Sequence, residues 1–375
     1  MTLEELRAQF PSTQNGVHLN HAGMGPTPTA VSTAVSQALI ELGHGDGMGA
    51  FRAHLTRQER LRERLARMMN VEAAGVGLVR NTSHGLAIAA QAIPFLPGEN
   101  VVVGACEYPS VVYPWQAQAV RGVETRIVAC LPPHDLLSED ALIAACDAKT
   151  RVLAVSWVQW GTGQRMDLTK LGAFCKARNI WFVVDVIQGL GALECDLSAC
   201  GADIAAGGCH KWLLAPAGIG PLYIKPERLS ELLPTNVGWN WVNNPFVWDR
   251  LRFEDARPRA DRFEEGSPAI LATAALDASL ALLEAVGMAE IERAVRHHAQ
   301  ALRTRLRALG LEVCPTDGHS GIVPFRHPTK SNEEILAVLE QENIWAAVRC
   351  GWVRFSPHAY TNDDDLERAI GGLRA

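Results

Sequence analysis

Between residues 76 and 224 short β-branched runs alternate with stretches of helical period, and this alternation predicts most of the fold. Strand-length apolar runs fall at 76–79, 101–104, 125–128, 151–156, 181–185, 204–206 and 218–224. Helical candidates separate most of them, over 82–92, 109–120, 139–146 and 168–178. This rhythm implies a mainly parallel sheet of an α/β fold, covered by helices on both faces. Upstream, Thr2-x-x-Glu5 reads as a capping box opening a short helix that ends near Pro11. Helical periodicity then spans 29–42 and 50–69, after a Gly- and Pro-rich loop at 19–26.

The rhythm breaks at 234–268, where Trp239, Trp241, Phe246 and Trp248 stand among many charges without a clear period. A loop of that length in a compact enzyme predicts a lid or a subunit contact. Two helices follow, 269–285 and 288–309. The remainder reads as strand 321–325, helix 332–342, strands 344–349 and 352–356, and helix 363–373. The predicted division is a large domain over 20–268 and a smaller α+β domain built from 269–375 together with residues 1–19.

Composition removes several function classes. With 48% hydrophobic and 20% charged residues over 375 positions, the chain has the make-up of an ordinary soluble globular protein. A net charge of −6, a pI near 6.1 and no basic stretch argue against a nucleic-acid partner. The opening Met1-Thr2-Leu3-Glu4-Glu5 is acidic without an apolar signal core, and no apolar run approaches a membrane span. A cytoplasmic protein without membrane contact is therefore expected. The nine cysteines show no Cys-x-x-Cys pair and no zinc-like spacing, so reduced thiols and no metal site are expected.

The candidate chemistry lies near one β-branched run. Val183-Val184-Asp185 delivers a carboxylate to a strand end, and 26 positions later comes His210-Lys211-Trp212 behind the small residues Gly207, Gly208 and Cys209. A lysine desolvated in such surroundings becomes nucleophilic. One carboxylate and one lysine at the rim of an α/β sheet are what a pyridoxal phosphate (PLP) enzyme requires, the lysine for a Schiff base and the acid for the pyridine nitrogen. Singly, Asp185 reads equally well as a helix cap and Lys211 as a surface residue. Asn81-Thr82-Ser83 opens a helix after a strand, a ready anion site or a plain N-cap. Tyr108 in Glu107-Tyr108-Pro109-Ser110 reads as an aromatic suited to cover a planar ring, or as a half-buried tyrosine of a βα loop. Arg354, on a short strand, is suited to grip a carboxylate, or to pair with a surface acid.

Taken in order, these motifs resemble the class V, cysteine-desulfurase-like group of fold-type I PLP enzymes, nearest its isopenicillin-N-epimerase-like and aminotransferase branch. The landmarks are Leu19-Asn20-His21-Ala22-Gly23, Asn81-Thr82-Ser83, Glu107-Tyr108-Pro109-Ser110, Asp185-x-x-Gln188, His210-Lys211, Arg262-Phe263-Glu264-Glu265-Gly266-Ser267-Pro268 and Arg354-Phe355-Ser356-Pro357-His358. The resemblance implies a seven-stranded, mainly parallel large domain with a smaller α+β domain. It implies Lys211 as the Schiff-base lysine and proton carrier, Asp185 on the pyridine nitrogen, Gln188 on the ring hydroxyl and Tyr108 over the ring. Thr82, Ser83 and His210 would hold the phosphate. Ser267 would reach it from a neighbouring subunit, which implies a homodimer with shared sites. Arg354 would bind the α-carboxylate of an amino-acid substrate, with Asn20 and Trp160 beside it.

The departures bear on the reaction. Gly208-Cys209 replaces a Ser-Gly common in relatives, Trp160 stands where desulfurases have asparagine, and the cysteine-bearing loop of desulfurases has no counterpart. The expectation is a class V aminotransferase. The alternatives are a C–S lyase, a cysteine desulfurase or selenocysteine lyase using Cys350, or an amino-acid epimerase. A nicotinamide-binding turn is disfavoured, since Gly43-x-Gly45-x-Gly47-x-Gly49 and Gly218-x-Gly220 lack the required strand–helix context.

Overall fold

Alternate residues of the central strands face opposite ways, and that alternation builds two cores in the computed structural model. Val102, Leu153, Val155, Phe182 and Val184 join helices 48–69 and 168–178 on one side. Val101, Val103, Val152, Ala154, Trp181 and Val183 meet helices 82–92 and 109–116 on the other. The structure describes every residue except Gly45, Asp46, Trp248, Arg250, Asp317, Gly318 and Ala375. The glycine run through Gly45 and the aromatic Trp248 therefore fall partly outside the described residues.

The sheet has seven strands, which in spatial order begin at Val76, Gly220, Ile204, Trp181, Thr150, Asn100 and Glu124. Only Gly220–Ile224 runs antiparallel to its neighbours, so the sheet is mainly parallel, as expected. Parallel strands place their C-terminal ends along one edge, where open α/β sheets bind ligands. At that edge Ser156 and Asp185 are register partners, and Ala206 pairs with Asp185 on the other side.

A second, four-stranded antiparallel sheet comprises Glu312–Val313, Val323–Arg326, Trp352–Phe355 and Ala347–Arg349 in spatial order. Helices Met288–Ala308, Asn332–Gln341 and Asp363–Arg374 pack around it through Leu302, Leu306, Leu339, Leu366 and Ile370. The expected strand at 344–349 changes partners midway. Its first half, Ile344–Trp345, pairs in parallel with Val17–His18, and its second half joins the four-stranded sheet. The helix expected over 109–120 turns to a 3₁₀ helix at Ala117, soon after Pro114, which has no amide to donate. Among its described residues the segment 234–268 holds two short 3₁₀ turns, with Trp239, Phe246, Leu251 and Phe253 exposed.

Among the described residues no single helix is long and apolar enough to cross a membrane.

Candidate active site

Two crossings of the sheet edge create the site. After Trp181–Asp185 the chain turns so sharply that the Ile187 amide donates back to Asp185 Oδ1 at 2.9 Å, fixing the carboxylate at the strand end. After Ile204–Ala206 the small residues Gly207, Gly208 and Cys209 bring Lys211 to the same edge. The loop 19–26 closes over it. The Gly25 amide donates to the His210 carbonyl at 2.9 Å, and a Cβ at Gly25 would lie 2.4 Å from the Lys211 carbonyl, so only glycine fits.

A cavity of about 230 Å³ opens between these elements, and Lys211, Asp185, Gln188, Tyr108, Arg354 and Trp160 all line it. Thr82, Ser83 and His210 line it too, so most of the expected set converges. Asp185 is buried, which pushes its carboxyl up to about 6, with Lys211 pulling in the opposite direction. Burial lowers the Lys211 ammonium to about 8, with Asp185 opposing and Arg354 and Arg349 assisting. The Lys211 Nζ lies 5.9 Å from the Tyr108 ring centre, and Tyr108 meets Trp160 edge to face. Gln188 is held by two bonds: its Nε2 donates to the Ala22 carbonyl at 3.0 Å and its Oε1 accepts from Trp212 Nε1 at 2.9 Å.

The cavity wall at helix Thr82–Ala92 is built for an anion. Asn81 caps this helix by accepting from the His84 amide, and Thr82 Oγ1 is buried without a partner. Ser83 and Ser110 share a 2.6 Å hydrogen bond at the same mouth. A phosphate is the group this wall fits, and a protonated ring nitrogen is the group that suits Asp185.

Arg354 supplies the other pole. It is 1% exposed, one amino group donates to the Trp160 carbonyl, and Nε is buried with no partner. Burial pushes its guanidinium down to about 10, with Arg349 adding to the effect. Among the described residues it has no carboxylate within ion-pairing distance, so a buried positive fork faces the cavity unmatched.

Two expected residues lie elsewhere. Asn20 bridges to Ser356 behind the cavity, with Oδ1 buried and unpaired, while its neighbours Ala22 and Gly23 form the lining. Ser267 lines a separate cavity with Arg80, His84 and Glu265. Within one chain it is not part of the lining of the Lys211 cavity.

Four residues stand outside the set expected from the sequence. Arg349, Ser110 and Ser156 line the cavity, and Glu107 is wholly buried behind it. Glu107 accepts from the Ser156 amide at 2.9 Å, from the Ser156 hydroxyl and from Gln159 Nε2 at 2.7 Å. Burial nonetheless raises its carboxyl to about 7. Ser156 carries a signal in its position at the end of the strand paired with Asp185, whereas nothing local marks Glu107 as buried.

Comparison with known proteins agrees with the geometry. The family model for aminotransferase class V matches residues 17–367. A probable cysteine desulfurase of Methanothermobacter thermautotrophicus is 27% identical over 94% of this chain and 88% of its own. The isopenicillin N epimerase of Streptomyces clavuligerus is 29% identical over 99% and 98%. Among solved structures, the cystine C–S lyase C-DES in complex with its product cysteine persulfide superposes with a TM-score of 0.91 at 25% identity, covering 97% of this chain and 99% of the lyase. A variant of C-DES carrying glycine linked to its PLP cofactor gives the same TM-score and identity, over 98% of each chain. The chain belongs to the class V aminotransferase family of fold-type I, PLP-dependent enzymes.

Proposed function

We propose that this enzyme breaks the carbon–sulfur bond of a cysteine-derived amino acid by elimination, in the manner of a C–S lyase. The observation that carries this reading is the setting of Cys350. Arg349 and Trp352 are register partners, which leaves Cys350 and Gly351 as a two-residue turn with φ of 50° and 73°. A desulfurase needs a thiolate on a mobile loop to attack the substrate sulfur. Here Cys350 is exposed on that tight turn, its sulfur packs against Gly161 and lines a different cavity from Lys211, and partial burial of the thiol raises its pKa. Elimination requires no protein thiol. The likeness to a cystine C–S lyase supports the same choice over transamination.

The cavity residues fit PLP, which when bound supplies an electron sink for charge developing at the substrate Cα. Thr82, Ser83, Ser110 and His210 would hold its phosphate, Asp185 its ring nitrogen, Tyr108 its face and Gln188 its ring hydroxyl. Arg354 would take the α-carboxylate in a forked, charge-assisted contact that satisfies its unpartnered Nε. Arg349 places a second, exposed guanidinium at the cavity rim, again without a carboxylate among the described residues. A disulfide amino acid with two carboxylates, such as cystine, gives each arginine a partner. Lys211 would accept the Cα proton on Nζ. The Cβ–S bond would then break, and from cystine the sulfur would leave with the bonding electrons as the persulfide anion of the other half-molecule.

Cys350→Ala tests this against desulfuration. Sulfur release from cystine is expected at the wild-type rate. Loss of release with the cofactor absorbance intact would establish Cys350 as a sulfur acceptor and overturn the lyase reading.

A further inference from the structure

On the far side of Trp160 lies a second cavity of about 380 Å³, lined by three thiols: Cys106, Cys130 and Cys350. Two of them are brought together by strand register. Gly104 and Val128 are the last paired residues of Asn100–Gly104 and Glu124–Val128, and the Ala105 amide extends the pairing to the Val128 carbonyl at 2.8 Å. Cys106 and Cys130 each stand two residues beyond that pair. Neighbouring strands lie about 4.8 Å apart, inside the roughly 4.4–6.8 Å Cα separation that a disulfide spans. Both thiols are half-buried at the cavity wall, and each perturbs the acidity of the other.

We propose that Cys106 and Cys130 form a reversible dithiol–disulfide site that reacts with low-molecular-weight disulfides. Cys130 is the less deeply buried of the two, and the interaction of the pair holds its thiol below the ordinary range while raising that of Cys106. Cys130 is assigned as the attacking thiolate. It displaces one thiolate from the small disulfide and becomes a mixed disulfide. Cys106, its proton passing to the released thiolate, then attacks the Cys130 sulfur and expels the second small thiolate. Two electrons pass from the protein dithiol to the reagent, which leaves as two thiols.

The site is wired to the substrate end of the active site. The Cys106 carbonyl accepts from Trp160 Nε1 at 3.1 Å, and the Trp160 carbonyl in turn accepts from Arg354. Tyr108, two residues after Cys106, packs on the same indole. Drawing Cys106 toward Cys130 moves this wall, while Asp185 ends one other strand and Lys211 follows another. Cys350 shares the cavity but sits exposed on its hairpin turn, so it serves as an internal control for non-specific thiol chemistry.

This inference does not rest on the lyase reading, because its first readout is a mass. Holoenzyme is incubated with glutathione disulfide, alkylated, digested and mapped by mass spectrometry. The expected product is a Cys106–Cys130 cross-linked peptide, lighter by two hydrogens and reversed by dithiothreitol. L-alanine, titrated by the change in cofactor absorbance, should bind severalfold more weakly to the oxidised protein, with that absorbance otherwise unchanged. Cys130→Ser should keep basal turnover and lose both the cross-link and the response of alanine binding. Modification confined to Cys350, or full alkylation of Cys106 and Cys130 after exposure, would overturn the site. A cross-link that leaves alanine binding unaltered would overturn its coupling to Arg354.

Discussion

Single ionisable groups carry much of the account, because burial has moved several of them. In the cofactor-free protein the Lys211 amine stands at about 8, and only the neutral amine is nucleophilic. The rate of PLP capture, followed by the rise of visible absorbance, should climb with pH and level off above about 8. A rate still climbing toward the ordinary lysine value near 10.4 would contradict that environment. Lys211→Ala should abolish the absorbance and turnover together. Glu107 gives the opposite test, on stability. Its carboxyl titrates at about 7 in the folded chain against an ordinary 4.5, so the folded state holds the proton more tightly. The associated stabilisation is complete below pH 4.5 and is lost as pH rises through about 7, a change of roughly 3 kcal/mol. The melting temperature of the cofactor-free Glu107→Gln protein should therefore fall less steeply with pH over that interval than that of the wild type. Parallel slopes would show that Glu107 is ionised throughout.

At the level of the element, the most legible features were those that depend on local pattern. The run ending in Asp185 announced its strand, and its partner Lys211 followed small residues that only a crowded turn requires. Trp181–Asp185, Ile204–Ala206 and Thr82–Ala92 coincide with the strands and helix expected. What escaped the sequence depends on long-range partners. Glu312–Val313 is too short to show alternation and exists through its pairing with Val323–Arg326. The break within 344–349 follows from Val17–His18, more than three hundred residues away in the chain. Glu107 escaped for the same reason, since its partners Ser156 and Gln159 come from the neighbouring strand and the loop after it. One packing contact makes the phosphate wall testable. A Cβ at Gly85 would lie 2.6 Å from the Ala206 Cβ, so a larger side chain pushes helix Thr82–Ala92 off the sheet. Gly85→Val should cost about 1–3 kcal/mol in denaturant unfolding and weaken PLP binding with it. Unchanged stability and binding would mean that the helix end is not held by this contact.

The whole molecule bears on the placement of Ser267 and on the reaction itself. Ser267 lies in a cavity apart from Lys211, and its proposed phosphate contact is assigned to a second copy of the chain. Inactive Lys211→Ala subunits mixed with inactive Ser267→Asp subunits should then regain activity, because one site of the hybrid has both residues intact. Failure to complement, with mixed dimers confirmed by mass, would remove the shared site. The central claim is that the unmatched cation pair Arg349 and Arg354, the poised Lys211 and the pinned Cys350 together favour elimination. Its most direct measurement is the product balance of purified holoenzyme with L-cystine. The account predicts pyruvate and ammonia in equal amounts, with sulfur released as a persulfide or thiol and no alanine. Alanine with sulfur left on the protein, or a keto acid that retains its sulfur, would contradict it.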